Sequence, residues 1–210
     1  YYIRNMLSDI KDDRQEAIYF LVGHGQHFGM LEPATASVIP FMLEVLRQTD
    51  YPERGLVLRA FKEMGRRMFL PTYSIDRMRL AIGIYDELRN GFRVYQSLLN
   101  DKCDRVRQMA IGLMRYMQDD VSETLAILFQ QLKIETISGL RAEIIMSMIG
   151  LIQETNNTYR SVGKQYIPQI HEYLKTSNIV DEQHMFANQL NAISYSGDKD
   201  VVEYINDILG

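Results

Sequence analysis

The sequence predicts an all-α protein, an α-solenoid of about five antiparallel helix pairs, and three observations carry that expectation. Apolar residues recur at helical spacing from one end of the chain to the other, and no alternating strand pattern competes with them. The stretch DKCDRVRQMAIGLMRYMQDDVSETLAILFQQL, residues 101–132, reads as a helix, a short turn and an antiparallel helix. Neither helix can bury its apolar stripe alone, so each needs like neighbours. The chain supplies them: with Ala17, Ala60, Ala110, Ile144 and Ala187 taken as equivalent positions, the spacings are 43, 50, 34 and 43 residues. One class of helix-pair repeat has periods of about 40–47 residues, a range that brackets the mean of these spacings.

The elements follow in order. Residues 9–22 place Ile10, Ala17, Ile18, Leu21 and Val22 on one face, with an acidic first turn that suits the helix dipole. Three glycines between Gly23 and Gly29 predict a loop. Pro33 fits the first turn of the next helix, which turns Val38, Phe41, Met42, Val45 and Leu46 inward; Pro40 is expected to kink or divide it. After the Asp50-Tyr51-Pro52 turn, Leu56, Val57, Ala60, Phe61 and Met64 repeat the period. The longest helical stretch is 74–99, with Met78, Ala81, Ile82, Tyr85, Leu88, Phe92, Tyr95 and Leu99 in phase and Asn90-Gly91 the one place for a break.

In the central pair, Asp104 is the expected N-cap before Val106, Met109, Ala110, Leu113 and Met117. Gln118-Asp119-Asp120 is the turn, and Ser122 the expected cap before Leu125, Leu128, Phe129 and Leu132. Leu140, Ile144, Met148, Leu151 and Ile152 then mark a helix over 139–153, followed by helices at 159–175, 181–195 and 198–209. One domain spans 1–210, in helix pairs of about 9–48, 53–99, 104–133, 139–175 and 181–209.

Composition restricts the class. With 46% hydrophobic residues, five prolines and no tryptophan, the chain reads as soluble and helical. Its single cysteine, Cys103, cannot form an internal disulfide, so a reducing compartment, the cytoplasm, is expected. The opening YYIRNMLSDIKDD lacks the basic-then-apolar order of a signal peptide, and it begins on Tyr1 rather than methionine, so an incomplete start is expected. No apolar run reaches the ~18–20 residues of a membrane span. The net charge of −4 is uneven: residues 1–105 carry 15 basic and 14 acidic side chains, residues 106–210 carry 8 and 13. A nucleic-acid partner calls for a basic stripe, and Arg66, Arg67, Arg77 and Arg79 form the only basic cluster, which a solvated helix end explains as well.

Catalytic signatures are missing from the sequence. It contains no P-loop, dinucleotide fingerprint, G-x-S-x-G or H-E-x-x-H. His24 and His27 with Glu32 form the one arrangement resembling a metal site, but zinc wants three or four ligands at known spacing, so a turn role is the expectation and no metal or cofactor is assigned. His171 and His184 sit far along the chain, and Cys103 has no partner base. Most of the twelve methionines fall in phase with the core stripes, which favours packing over an adaptable groove.

Asp104-Arg105-Val106-Arg107, followed by Ala110 and Leu113, resembles the HEAT-repeat signature, in which an Asp precedes a Val-Arg pair at the start of each repeat's first helix. Leu140-Arg141 is a second match, and Gly55-Leu56-Val57 lacks the arginine. The resemblance implies a HEAT/armadillo-like right-handed superhelix whose second helices line a concave face. His24-Gly25-Gln26-His27-Phe28 followed by Pro33 to Phe41 is similar to the opening of bacterial HEAT-like proteins with a His-Gln-Gly loop, an Ala-Thr helix start and a Val-Pro-Phe kink; here the loop reads HGQH.

Some small bacterial proteins of that kind are immunity partners of secreted toxins. The implied function is therefore non-catalytic protein binding, in its narrowest form neutralisation of a cognate toxin. A scaffold subunit is one alternative. A HEAT-like DNA-binding or glycosylase protein is another, disfavoured by the acidic pI near 5.6. Partners on a solenoid dock on its concave surface, so the expected partner-binding residues are Glu44, Gln48, Arg79, Asp86, Asn90, Arg93, Gln130, Gln131, Gln169 and Glu172.

Overall fold

A computed structural model of the chain describes residues 2–23, 33–68, 75–154 and 165–176. Every regular element among the described residues is helical: α1 (Tyr2–Asn5), α2 (Lys11–Gly23), α3 (Pro33–Arg47), α4 (Arg54–Met68), α5 (Ile75–Arg89), α6 (Phe92–Leu98), α7 (Asp104–Met114), a 3-10 turn (Gln118–Asp120), α8 (Val121–Ile134), α9 (Ser138–Glu154) and α10 (Ile167–Thr176). The chain divides into two compact units, Tyr1–Met117 and Gln118–Gly210. The helices expected at 181–195 and 198–209, and the His24–Glu32 loop, lie outside the described residues.

In the first unit the packing order defines two layers. Helix α4 lies between α2 and α7, while α3 packs on α5 and α6; α3 with α4, α4 with α5, and α6 with α7 make the contacts between layers. Alternate helices thus stack on one another, which is the order of an α-solenoid built from helix pairs. Its core is formed by Val57, Leu58, Phe61 and Met64 of α4, Ala110, Ile111, Leu113 and Met114 of α7, and Ile84, Leu88 and Tyr95 from the other layer, all buried. Each large apolar side chain so buried contributes roughly 1.5–3 kcal/mol. Gly65 sets the closeness of α4 to Tyr116, since a Cβ there would stand 2.6 Å from Tyr116 Cδ2.

The second unit is built on α8 against α9. Leu125, Leu128 and Leu132 of α8 and Leu140, Ile144, Met148, Leu151 and Ile152 of α9 are buried, as their spacing predicts. Phe129 meets Tyr166 edge to face at 6.3 Å, which ties the residues leading into α10 to α8. The Glu135 carboxylate joins α8 to α9 by accepting the N–H groups of Thr136 and Ile137, each at 3.0 Å.

Several local expectations differ from the structure for identifiable reasons. Pro40 neither divides nor ends α3, which runs through it; Pro40 itself is exposed, so the carbonyl left without its N–H partner can be hydrated. The 74–99 stretch does break at Asn90-Gly91. Met78 and Ile82, expected inward, are 53% and 55% exposed, because α5 turns its Ile84 and Leu88 side to the core and those two positions fall outside that face. Phe41 and Ile10 are exposed as well; Ile39, Met42 and Leu43 take the buried places around Phe41. Asp104 begins α7 but does not cap it, pairing instead with Arg107 at 3.0 Å. Ser122 falls inside α8, whose N-cap is Asp120.

The N-terminal helices are fastened by two side chains from further along. Arg14 Nε and Nη2 donate to Glu53 Oε2 and Oε1 at 2.6 and 2.9 Å, while Arg14 Nη1 donates to the carbonyls of Ser8 and Asp9. This bidentate fork raises the Arg14 pKa, chiefly through its hydrogen bond to Glu53. Beside it the buried Tyr51 hydroxyl donates to the Met6 carbonyl at 2.8 Å. Burial first, and the Glu53 charge second, push the Tyr51 phenol up to about 12.

A tyrosine whose folded-state pKa exceeds its unfolded value of about 10 contributes stability that is whole below pH ~10 and is lost as pH rises toward the folded value. Unfolding stability is therefore expected to fall between about pH 10 and 12. Tyr51→Phe removes part of that slope in denaturant titrations at stepped pH. Tyr95, raised by burial, adds to it.

Candidate partner-binding site

In the first unit a groove of about 740 Å³ opens where the end of α3, the start of α4, α6 and the turn at 100–102 meet. Leu46, Val94 and Leu98 form its apolar floor; Arg47, Arg54, Asn90 and Arg93 rise around it, with Asp50, Asp101 and Lys102 at the ends. The break between α5 and α6 places Asn90 and Arg93 here. Gly91 makes that turn, its carbonyl accepting the N–H groups of Val94 and Tyr95 at 2.8 and 3.0 Å.

One wall is rigid. Arg54 Nη1 pairs with Asp101 Oδ2 at 2.5 Å, and the two side chains are only 9% and 7% exposed. Asp101 also accepts the Cys103 N–H through Oδ1 at 2.9 Å, and its carbonyl accepts from Arg107 Nη1 at 2.8 Å. One carboxylate therefore anchors both α4 and the turn into α7. Arg54 Nε is buried without a hydrogen-bond partner.

The opposite side is adaptable. Arg93 is exposed, donates to Gln96 Oε1 at 2.8 Å, and lies 5.4 Å from the centroid of the Phe92 ring. Arg47 is paired with Glu44 at 2.6 Å, both more than half exposed, and such a surface pair contributes about 0–1 kcal/mol. It can exchange partners at little cost.

Of the ten expected site residues, Asn90 and Arg93 line this groove, with Glu44 one ion pair away through Arg47. Gln48, Arg79 and Asp86 are exposed but do not line it. In the second unit Gln130, Gln169 and Glu172 are exposed. Gln131 is not: at 7% exposure it belongs to the buried side of α8, next to Leu132, because the helical phase that buries Leu128 and Leu132 carries position 131 inward. Arg47, Arg54, Asp101 and Lys102 escaped the sequence reading. The one signal for them was the charged turn Asp101-Lys102-Cys103-Asp104 before a helix start.

Among the described residues no group of three His, Cys, Asp or Glu side chains is placed to hold a metal ion, and no helix is long and apolar enough to cross a membrane. His24, His27 and Glu32 lie outside those residues.

The architecture and groove define the class as an all-α protein of stacked helices. No family model and no curated protein matches the chain. Among solved structures it is similar to an engineered protein from a structural genomics consortium, at 11% identity and a TM-score of 0.40 over 99% of this chain and 96% of that one. It is also similar to a designed armadillo repeat protein in complex with the peptide (KR)4, at 10% identity and a TM-score of 0.38 over 100% and 98% of the two chains. Likeness at that level leaves function to the chain's own geometry.

Proposed function

We propose that the chain is a non-catalytic protein-binding module and that the groove of the first unit is part of its binding surface. The supporting observation is the convergence of exposed Asn90, Arg93 and Arg47 on a concave, partly apolar site braced by the buried Arg54–Asp101 pair. Adaptable charged groups above a rigid apolar floor are what a peptide or protein surface requires. Exposed Gln130, Gln169 and Glu172 supply a second patch on the other unit.

In its narrower form the module is a single-domain HEAT-like immunity protein acting in the cytoplasm on a cognate toxin. That form rests on the resemblance of residues 24–41 and on charge. A toxin site that handles nucleic acid or phosphorylated cofactors is basic, and the acidic excess after residue 105 complements it. The scaffold alternative predicts binding without loss of toxicity.

The test is a calorimetric titration of the chain with the product of the neighbouring gene, alongside co-expression toxicity. Tight binding by the wild type, weakened at least tenfold by combined Arg93→Glu, Asp86→Lys and Glu172→Lys reversals, is the expected result. If the reversals bind as wild type while changes at Gln108 of α7 abolish binding, the assigned surface is wrong. Binding without rescue from toxicity retires the immunity form alone.

A further inference from the structure

We propose that the groove between α3, α4 and α6 takes an acidic, extended peptide segment, its carboxylates on Arg47, Arg93 and Lys102 and an apolar side chain over Leu46, Val94 and Leu98. The proposal rests on the protein-binding reading and names the chemistry of the ligand. Its main support is a local reversal of charge. The whole chain carries −4, yet the groove is lined by four cations and two carboxylates, and Arg54 and Asp101 largely neutralise each other. What faces an entering ligand is Arg47 with its Glu44 partner, Arg93 and Lys102, against Asp50.

The second support is geometric. Arg47 is held only by an exposed pair to Glu44, so an incoming carboxylate replaces one solvated partner with another. The third support separates peptide from nucleic acid. Asn90, Ser97 and Asn100 offer mixed donors and acceptors suited to a peptide backbone, and the floor is apolar.

The experiment is fluorescence anisotropy on the full chain with three labelled probes: a short peptide of alternating aspartate, glutamate and leucine, its lysine-leucine counterpart, and a single-stranded oligonucleotide of matching charge. The acidic peptide is expected to bind at least tenfold more tightly than the other two. Its affinity should fall with added salt, because exposed charges are screened within a Debye length of ~10 Å at 0.1 M. Arg93→Glu and Arg47→Glu, both at exposed positions and checked for helicity by circular dichroism, are each expected to weaken it at least fivefold.

Equal binding of the basic peptide, tighter binding of the oligonucleotide, or reversals without effect overturns the proposal. The broader reading is separable. A protein partner that still binds the Arg47→Glu/Arg93→Glu double variant leaves protein binding standing and removes the acidic groove, whereas peptide binding without any protein partner does the opposite.

Discussion

Gly91→Ala is expected to destabilise the first unit by about 1–3 kcal/mol or more, read as a lower denaturant midpoint with unchanged slope. A Cβ at Gly91 would overlap the Tyr95 hydroxyl and Cζ and a Leu43 methyl. Tyr95 is fully buried and its hydroxyl donates to the Leu88 carbonyl at 2.8 Å, closing the last turn of α5 over the break. If the ring yields, that hydrogen bond goes and a buried polar group is left unpaired, a cost of roughly 1–3 kcal/mol. If Leu43 yields, the α3 packing opens instead.

Two other glycines provide the comparison. Gly65→Ala meets the Tyr116 ring at 2.6 and 2.9 Å and is expected to be destabilising too, whereas a Cβ at Gly83 has nothing within 4 Å. Gly83→Ala should therefore be neutral or stabilising by up to about 1 kcal/mol, since alanine is the better helix former. Equal effects at Gly83 and Gly91 would refute the steric account.

Asp101→Ala is expected to cost about 3–5 kcal/mol, the range for breaking a buried ion pair by removing one partner. It strands the Arg54 guanidinium at 9% exposure and takes the acceptor from the Cys103 N–H that sets up α7. The pair as a whole contributes much less than either deletion suggests, because two desolvated charges offset most of their attraction. The double change Arg54→Met/Asp101→Leu should therefore recover a good part of the loss. Urea unfolding of the wild type, Arg54→Met, Asp101→Leu and the double variant measures it as a double-mutant cycle. A double variant as unstable as the sum of the singles would show that the turn hydrogen bonds, and not the ion pair, hold this wall.

Among the described residues the periodicity in the sequence located the helices from α2 onward, because it depends on which residues recur, and recurrence survives any tertiary arrangement. The break at Asn90-Gly91 was marked not by periodicity, which runs in phase through it, but by the turn-favouring Asn-Gly pair. It could not fix the phase of α5: Ile75, Met78 and Ile82 make as good an apolar stripe as Ile84 and Leu88, and only the packing against α3 and α4 decides between them. The groove was half legible. Asn90 and Arg93 stand out as polar positions on one helical stripe, yet Arg54 and Asp101 are 47 residues apart, and nothing local shows that they meet. Gln131 failed for a related reason, since a glutamine on an amphipathic helix reads as solvent-facing until the neighbouring helix is in place.

The fastening of α1 and α2 bears on how the chain opens. A four-residue helix at the start of a unit ordinarily frays, exchanging its amide hydrogens independently of everything behind it. Here Tyr51 holds the Met6 carbonyl and Arg14 bridges Ser8, Asp9 and Glu53, so releasing those first turns means breaking contacts made more than thirty residues along the chain. The first helices and the α3–α4 corner thereby become one cooperative element. Its opening is a single event whose free energy is shared, and an unfolding force applied to α1 would meet the resistance of that whole corner and not of one short helix.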